Sequence, residues 1–453
     1  MTTGRTNHVP TPTPAWAGAV STRRRRFTVL AALYLVADLG YAFLLGSLNT
    51  ILLGGGVGLD QLALINLLGL LYMGRFLVGP LVDRVGFGRL GRHRGWLMIT
   101  QLLLVMAWLA LVPLHPVADL PLVLVLTAVI LAISAVHDTA MNGFAVRLLP
   151  PQDRGAGNGI QAGMACVSIV LGSGGALVLY SHAGWGVTVG ALAAVFLVPF
   201  AVLLFVAEPA SELTARGVVP FAEVVTLFRQ PRVRTWTLLV APLFALGGYA
   251  ATAVQGPMML AAHWSLDRIA LVQGALAGLV GCGAAFVVGA LVTRFGVRRT
   301  TLAVGVLWVC ALALLLPLSL GGSTVALDAG AVLAVTAGYA GMGVCAYTVA
   351  MDLARPASAA TDFTVQISAL GVLRLATTSA GLAAAGWAGF APLIAASVLL
   401  AAAGTWVTVR WLRDHETEHR ARGFGRQSGT RRRQATSHDP QEEARCPLPR
   451  PAR

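Results

Sequence analysis

The chain has no lysine: all 33 of its basic residues are arginine. Schiff-base and lysine general-base chemistry are therefore excluded. So is a phosphate-binding loop of the G-x-x-x-x-G-K-[ST] type, and with it ATP-driven work by this chain alone. Charged residues of all kinds are scarce, 11% of 453, where soluble globular domains carry about 25%. That leaves too little polar surface to face water, so the bulk solvent of the chain is lipid. Cysteine is sparse as well. Cys166, Cys282, Cys310, Cys345 and Cys446 form no C-x-x-C pair, which argues against a disulfide framework or a zinc site. No G-x-S-x-G motif or cluster of loop carboxylates is present. The expectation is a protein that is not an enzyme and needs no cofactor or metal.

What is present is hydrophobic sequence, 56% of the chain, with a mean hydropathy of +0.74. Runs of about 20 apolar residues each suffice to cross a bilayer. Twelve can be placed, at 27–49, 61–82, 96–113, 120–146, 158–181, 185–206, 235–261, 268–292, 300–320, 328–353, 363–385 and 389–412. The weakest punctuation is at 182–185 and 386–389. The first run is too long for a cleaved signal peptide, whose core is about 7–15 residues. The expected organisation is a disordered 1–26, a six-helix half 27–206, a hydrophilic linker 207–234, a second six-helix half 235–412 and a disordered Arg-rich tail 413–453.

The net charge of +14 would suit nucleic acid, but the arginines cluster at the ends of apolar runs. With the amino terminus inside, every loop arginine from Arg84 to Arg355 except Arg268 falls on the inner side. This is the positive-inside pattern, and it places both termini in the cytoplasm. The partners expected are a lipid bilayer, a small-molecule substrate and protons; no nucleic acid is expected, and the protein is read as a monomer of the plasma or inner membrane. For the tail, attraction to anionic headgroups is the one role that composition suggests.

"GPLVDRVGFGR" (79–89) and "GALVTRFGVRR" (289–299) agree at six of eleven positions, 210 residues apart. Each follows the second span of its half, and internal duplication of this kind marks secondary transporters. The pair resembles the loop signature of the major facilitator superfamily and its degenerate echo. The resemblance implies twelve transmembrane helices in two pseudo-symmetric halves, all-α. It also implies a conformational gate at Gly79, Asp83, Arg84, Gly86 and Arg89. Asp83 would pair with nearby arginines and with the N-terminal dipole of a helix from the other half. The echo carries Thr293 where the first copy has Asp83, so the clasp is asymmetric.

Two longer stretches are more specific. "GRFLVGPLVDR" (74–84) with "LGRHRGWLMITQ" (90–101), and "HDTAMNGFAVRLLPPQDRGAGNGIQ" (137–161), resemble the AmpG-like muropeptide permease and acetyl-CoA transporter branch. Asp138, Pro150, Arg154, Gly155 and Gly157 match its pattern. His137 stands where that branch has Gln, Asn142 where it has Asp, and no arginine lies between Arg154 and Arg216. The resemblance implies proton-coupled import of a bulky solute such as a muropeptide. The alternatives are a permease for another solute, for example a siderophore, or a non-transporting membrane assembly factor.

A charge at the bilayer centre costs at least about 2.5–3.5 kcal/mol, so each one needs a reason. At a rise of 1.5 Å per residue, Asp38, Arg75, Asp138 and Arg374 lie about 12–16 Å deep, near the midplane where secondary transporters place their sites. Asp38 and Arg75 are the expected permanent ion pair. Asp138 and Arg374, in different halves, are expected to meet in only one conformation, which would make Asp138 the proton-coupling group. His137 is either a second titrating group or a hydrogen-bonded core histidine. Gln255, Tyr249, Asn66 and Tyr347 are candidate cavity-lining groups, and Asp352 and Asp362 are helix-end charges. Gly274 and Gly278 form a GxxxG, read as helix packing.

The orientation is testable. In a cysteine-free background, Val57→Cys and Val117→Cys should react with an impermeant thiol reagent added to intact cells, and Val225→Cys should not. Labelling at 225 would invert the topology.

Overall fold

The computed structural model describes residues 22–206, 208, 220–321 and 324–436. Ten helices are long and apolar enough to cross a membrane, judged by length and composition. One of them, Pro151–Leu204, has 54 residues, enough for two spans. It is divided at Gly184, whose φ of +79° breaks the helix. His93–Ala110 supplies one more. The twelve are α1 (Arg23–Gly54), α2 (Asp60–Arg84), α3 (His93–Ala110), α4 (Leu120–Leu148), α5 (151–183) and α6 (185–204), then α7 (Pro231–Ala261), α8 (Leu271–Phe295), α9 (Val297–Ser319), α10 (Val325–Leu353), α11 (Pro356–Ala388) and α12 (Phe390–Thr436). Gly389, with φ +89°, separates α11 from α12 as Gly184 separates α5 from α6. An L side chain rarely adopts that backbone, so a single glycine turns the chain where the sequence offers almost no polar punctuation. Among the described residues there is no strand.

Two boundaries differ from expectation. Arg23–Arg26 are already helical, capped by the Thr22 hydroxyl, which accepts from the Arg25 amide. At the other end α12 runs on to Thr436, so 413–436 is helical rather than disordered. Arg, Glu, Gln and Ala are good helix formers, and a helix already nucleated in the membrane extends at one hydrogen bond per residue. Residues 1–21 and 437–453, and most of the 207–219 part of the linker, lie outside the described residues. The linker also holds a short helix, Pro220–Phe228.

Each half has its own apolar core. Phe43, Trp108, Ile130 and Phe196 belong to the first, and Trp236, Phe244, Trp308 and Val332 to the second. A third cluster joins the halves at the arginine-rich face, where Phe144 and Leu148 pack with Met351, Phe363 and Ile367. There the backbones come close. A Cβ on Gly159 (α5) would lie 2.9 Å from Gly289 Cα (α8), and a Cβ on Gly79 (α2) would lie 2.8 Å from Thr361 Cα (α11). The expected GxxxG contact is not made: nothing outside their own helix lies within 4 Å of a Cβ at Gly274 or Gly278. Both glycines precede the stretch of α8 that touches α5, so they face open space.

Away from that face the halves separate. Ala359–Ser368 of α11 are buried, whereas 371–376 are partly or fully exposed. The molecule is thus closed at the arginine-rich face, with a cleft between its halves on the other side.

Gly159→Leu should lower the melting temperature in detergent, because overpacking costs about 1–3 kcal/mol. Gly278→Leu, with open space around it, should leave it unchanged. Equal effects would mean that α5 and α8 are not held at that contact.

Candidate functional site: the inter-half cleft and its clasp

Two of the midplane charges sit at helix breaks. In α1 the regular helix stops at Tyr34 and resumes at Leu39. Asp38 lies at the resumption, and its amide donates to Ser168 Oγ of α5 (3.2 Å). In α2, Gly74–Leu77 tighten to a 3-10 turn just before Pro80. Proline lacks the N–H that would bond to the carbonyl four residues back, so the helix cannot continue regularly through that turn. Arg75 lies in the break; its carbonyl accepts from the Val78 amide (3.3 Å) and from Thr139 Oγ1 (3.0 Å). Irregular backbone at membrane depth is tolerated where it lines a cavity and is satisfied in this way.

The ion pairing differs from expectation. Arg75 Nη1 meets Asp138 Oδ2 of α4 at 2.8 Å, and Asn142 Nδ2 donates to the same oxygen at 3.0 Å. Tyr34 in turn donates to Asn142 Oδ1 (3.2 Å). Among the described residues Asp38 has no cation within ion-pair distance; Tyr72 donates to its Oδ1 at 3.0 Å. Residue spacing placed Asp38 and Arg75 at similar depths on adjacent helices. The break in α2 instead turns the guanidinium toward α4, with its Cζ 5.3 Å from the Tyr72 ring centre. Arg374 does not meet Asp138 here. Its guanidinium lies over the Tyr339 ring, 5.6 Å from the centroid, and the residue is exposed.

His137 is buried, with its Nε2 3.2 Å from Gln101 Nε2 of α3, so it is a core histidine facing away from the cleft. Gln255 is also buried, and its Nε2 has no hydrogen-bond partner. Asn66 accepts from Asn49 Nδ2 (2.8 Å), a contact between α1 and α2. Tyr347 meets Phe363 edge-on, and Tyr249 lies beside Tyr339.

At the arginine-rich face, Asp83 closes α2 against α11. Its carboxylate accepts from the Ala360 amide (3.1 Å), the Thr361 amide (2.7 Å) and the Thr361 hydroxyl (2.7 Å). Those amides are among the unsatisfied donors of a helix N-terminus, where negative charge is favoured. The pseudo-symmetric counterpart is present too: Thr293 Oγ1 of the echo accepts from the Ala156 amide at the start of α5 (2.9 Å). Arg154 Nη1 meets Asp352 Oδ1 across the halves at 2.6 Å. Asp362 pairs with Arg355, the residue just before α11 (2.7 Å).

Among the described residues no arginine pairs with Asp83. Its charged neighbour is His93, whose Nε2 is 3.5 Å from Asp83 Oδ1. The other imidazole nitrogen is 3.2 Å from Glu208 Oε1. Glu208 also accepts from the Arg94 amide (2.8 Å) and meets Arg147 Nη1 (3.2 Å). Sequence reasoning missed His93 and Glu208, since nothing in either neighbourhood shows that the end of α6 returns to the start of α3. Arg84 is exposed, Gly86 lies in the non-helical link 85–87, and the Arg89 side chain lies outside the described residues. The tail also carries an H-E-x-x-H pattern at 415–419 whose side chains lie outside the described residues.

The arrangement is that of a polytopic membrane protein: two helical halves, a polar cleft between them and a clasp on one face. The chain belongs to the Major Facilitator Superfamily, whose family model matches residues 27–376. It is similar to the anhydromuropeptide permease of Escherichia coli K12, 28% identical over 289 residues, covering 62% of this chain and 58% of that protein. The match thus spans less than two thirds of its curated relative. Among solved structures it resembles a bacterial homologue of the iron transporter ferroportin in an outward-facing state, with a TM-score of 0.65, 18% identity, and coverage of 86% of this chain and 99% of that one. It also resembles the human organic anion transporter MFSD10, with a TM-score of 0.66, 15% identity, and coverage of 85% and 99%.

The clasp should respond to pH. Burial would raise Glu208, but the His93 hydrogen bond, the Arg94 amide and Arg147 outweigh it and lower its pKa. The Glu208 contribution is present above the unfolded carboxylate value and is lost as pH falls through the depressed one. The melting temperature should therefore decline at the acid end of a pH series. Glu208→Gln should be less stable at neutral pH and should lose that acid decline. An unaltered acid limb would remove Glu208 from the clasp.

Proposed function

We propose that the chain is a secondary active transporter of the cell membrane, a proton-coupled importer of a bulky solute of the muropeptide type. In this reading the arginine-rich face is cytoplasmic and closed, both termini lie in the cytoplasm, and the cleft opens to the other side. The 27–206 and 235–412 halves rock about the α2–α11 and α5–α8 contacts. Asp83 holds the closed arrangement and releases α11 in the opposite one. The solute class is suggested by the anhydromuropeptide permease relative.

The observation that carries the coupling is Asp38, a carboxylate at a helix break beside the cleft with no cation within ion-pair distance among the described residues. A proton-coupled carrier needs an acid that can both hold and release a proton as its surroundings change. Asp138 is a poor candidate, because Arg75 of its own half meets it directly and would move with it. Arg374 stands on the other half, over the Tyr339 ring, and makes no ion pair with Asp38 among the described residues. Rocking of the halves changes the distance between the two, and with it the affinity of Asp38 for a proton.

The test is uptake of anhydromuropeptide into proteoliposomes under an imposed pH gradient. Asp38→Asn should abolish accumulation against a gradient yet leave counterflow exchange measurable. Asp138→Asn should mainly lower protein abundance, because it strands Arg75 in the membrane. Accumulation by Asp38→Asn would sink the assignment, and wild-type uptake indifferent to the gradient would sink proton coupling itself.

A further inference from the structure

We infer that Arg374 and the tyrosines around it form a docking site for a carboxylate on the solute. The inference rests on the reading of the cleft as a substrate site and adds the chemistry by which it selects. Of the four midplane charges, Arg75 and Asp138 neutralise each other at 2.8 Å. Among the described residues Arg374 has no carboxylate within ion-pair distance, and its guanidinium lies over the face of Tyr339. Yet it is exposed, on a helix whose opposite end is buried between the halves. An arginine held at midplane depth and in contact with no carboxylate presents an unused two-pronged donor.

The surroundings favour an anion of single charge. The polar groups that act on Arg374 are the phenols of Tyr339, Tyr249, Tyr347 and Tyr41, from α10, α7 and α1. Their hydroxyls can donate to an oxyanion without adding charge. No second free cation stands nearby, since Arg75 is committed to Asp138. A dianionic phosphate would be left half-neutralised, whereas a carboxylate would not. Tyr339 is partly exposed and is backed by the buried rings of Tyr249 (5.9 Å, 53°) and Trp308 (6.2 Å). Its face suits the apolar side of whatever bears the carboxylate. The pairing of a guanidinium with ring hydroxyls thus selects for charge and leaves the body of the solute loosely specified.

The probes are N-acetylmuramic acid and its uncharged methyl ester, at millimolar concentration, with the purified full-length protein and thermal shift as readout. Wild type should bind the acid roughly tenfold or more tighter than the ester, as expected for a hydrogen bond to a charged group. Arg374→Gln should bind the two alike. Should that variant fail to fold, Arg374→Lys, which keeps the charge and loses the fork, should lose most of the preference. The inference is overturned if wild type binds acid and ester equally, if it binds neither, or if the substitution leaves the preference intact. Failure of the transport reading looks different: the acid preference would persist in a protein that moves no muropeptide into proteoliposomes.

Discussion

One carboxylate makes the most hydrogen bonds where the two halves meet. Asp83 accepts three hydrogen bonds at the first turn of α11, so a helix of the second half is capped by a side chain of the first. The cap satisfies amides that lipid could not, and it complements the positive end of the helix. Its effect depends on close approach, which Gly79 permits at Thr361 and which the Gly159–Gly289 crossing repeats on the other side of the pseudo-symmetry axis. Thr293 of α8, accepting from the start of α5, is the neutral version of the same device. A charged cap on one side and a hydroxyl on the other make the clasp unequal, so its charged side alone is tied to titratable neighbours.

That tie runs through His93 to Glu208, which brings the end of α6 into the clasp. The chain just after α6 is therefore part of the contact cluster at this face. Arg147 and the Arg94 amide balance Glu208, so the cluster holds two acids among cationic and amide donors, with the imidazole between them. In the cleft the distribution is the reverse. One pair, Arg75 and Asp138, is closed within its half, and the two remaining charges, Asp38 and Arg374, stand on opposite halves without touching. A charge that keeps its partner throughout a rocking motion contributes structure. A charge whose surroundings change with the motion can contribute coupling or recognition.

The sequence by itself determined the number of spans, the approximate place of each and the internal repeat. Hydrocarbon admits only helices of sufficient length, and this is a constraint on composition. The motif positions Asp83 and Thr293 were legible for the same reason, since each sits where a repeat of the second span ends. The sequence also marked out four midplane charges, because any charge in a twenty-residue apolar run stands out. Tertiary structure alone decided which of them pair. Side-chain direction depends on local helix geometry, and the breaks at Asp38 and Arg75 rotate both side chains away from what a regular 3.6-residue period implies. Contacts between residues distant in the chain, such as His93 with Glu208 and Arg154 with Asp352, exist only after the helices have packed, so no local pattern could announce them.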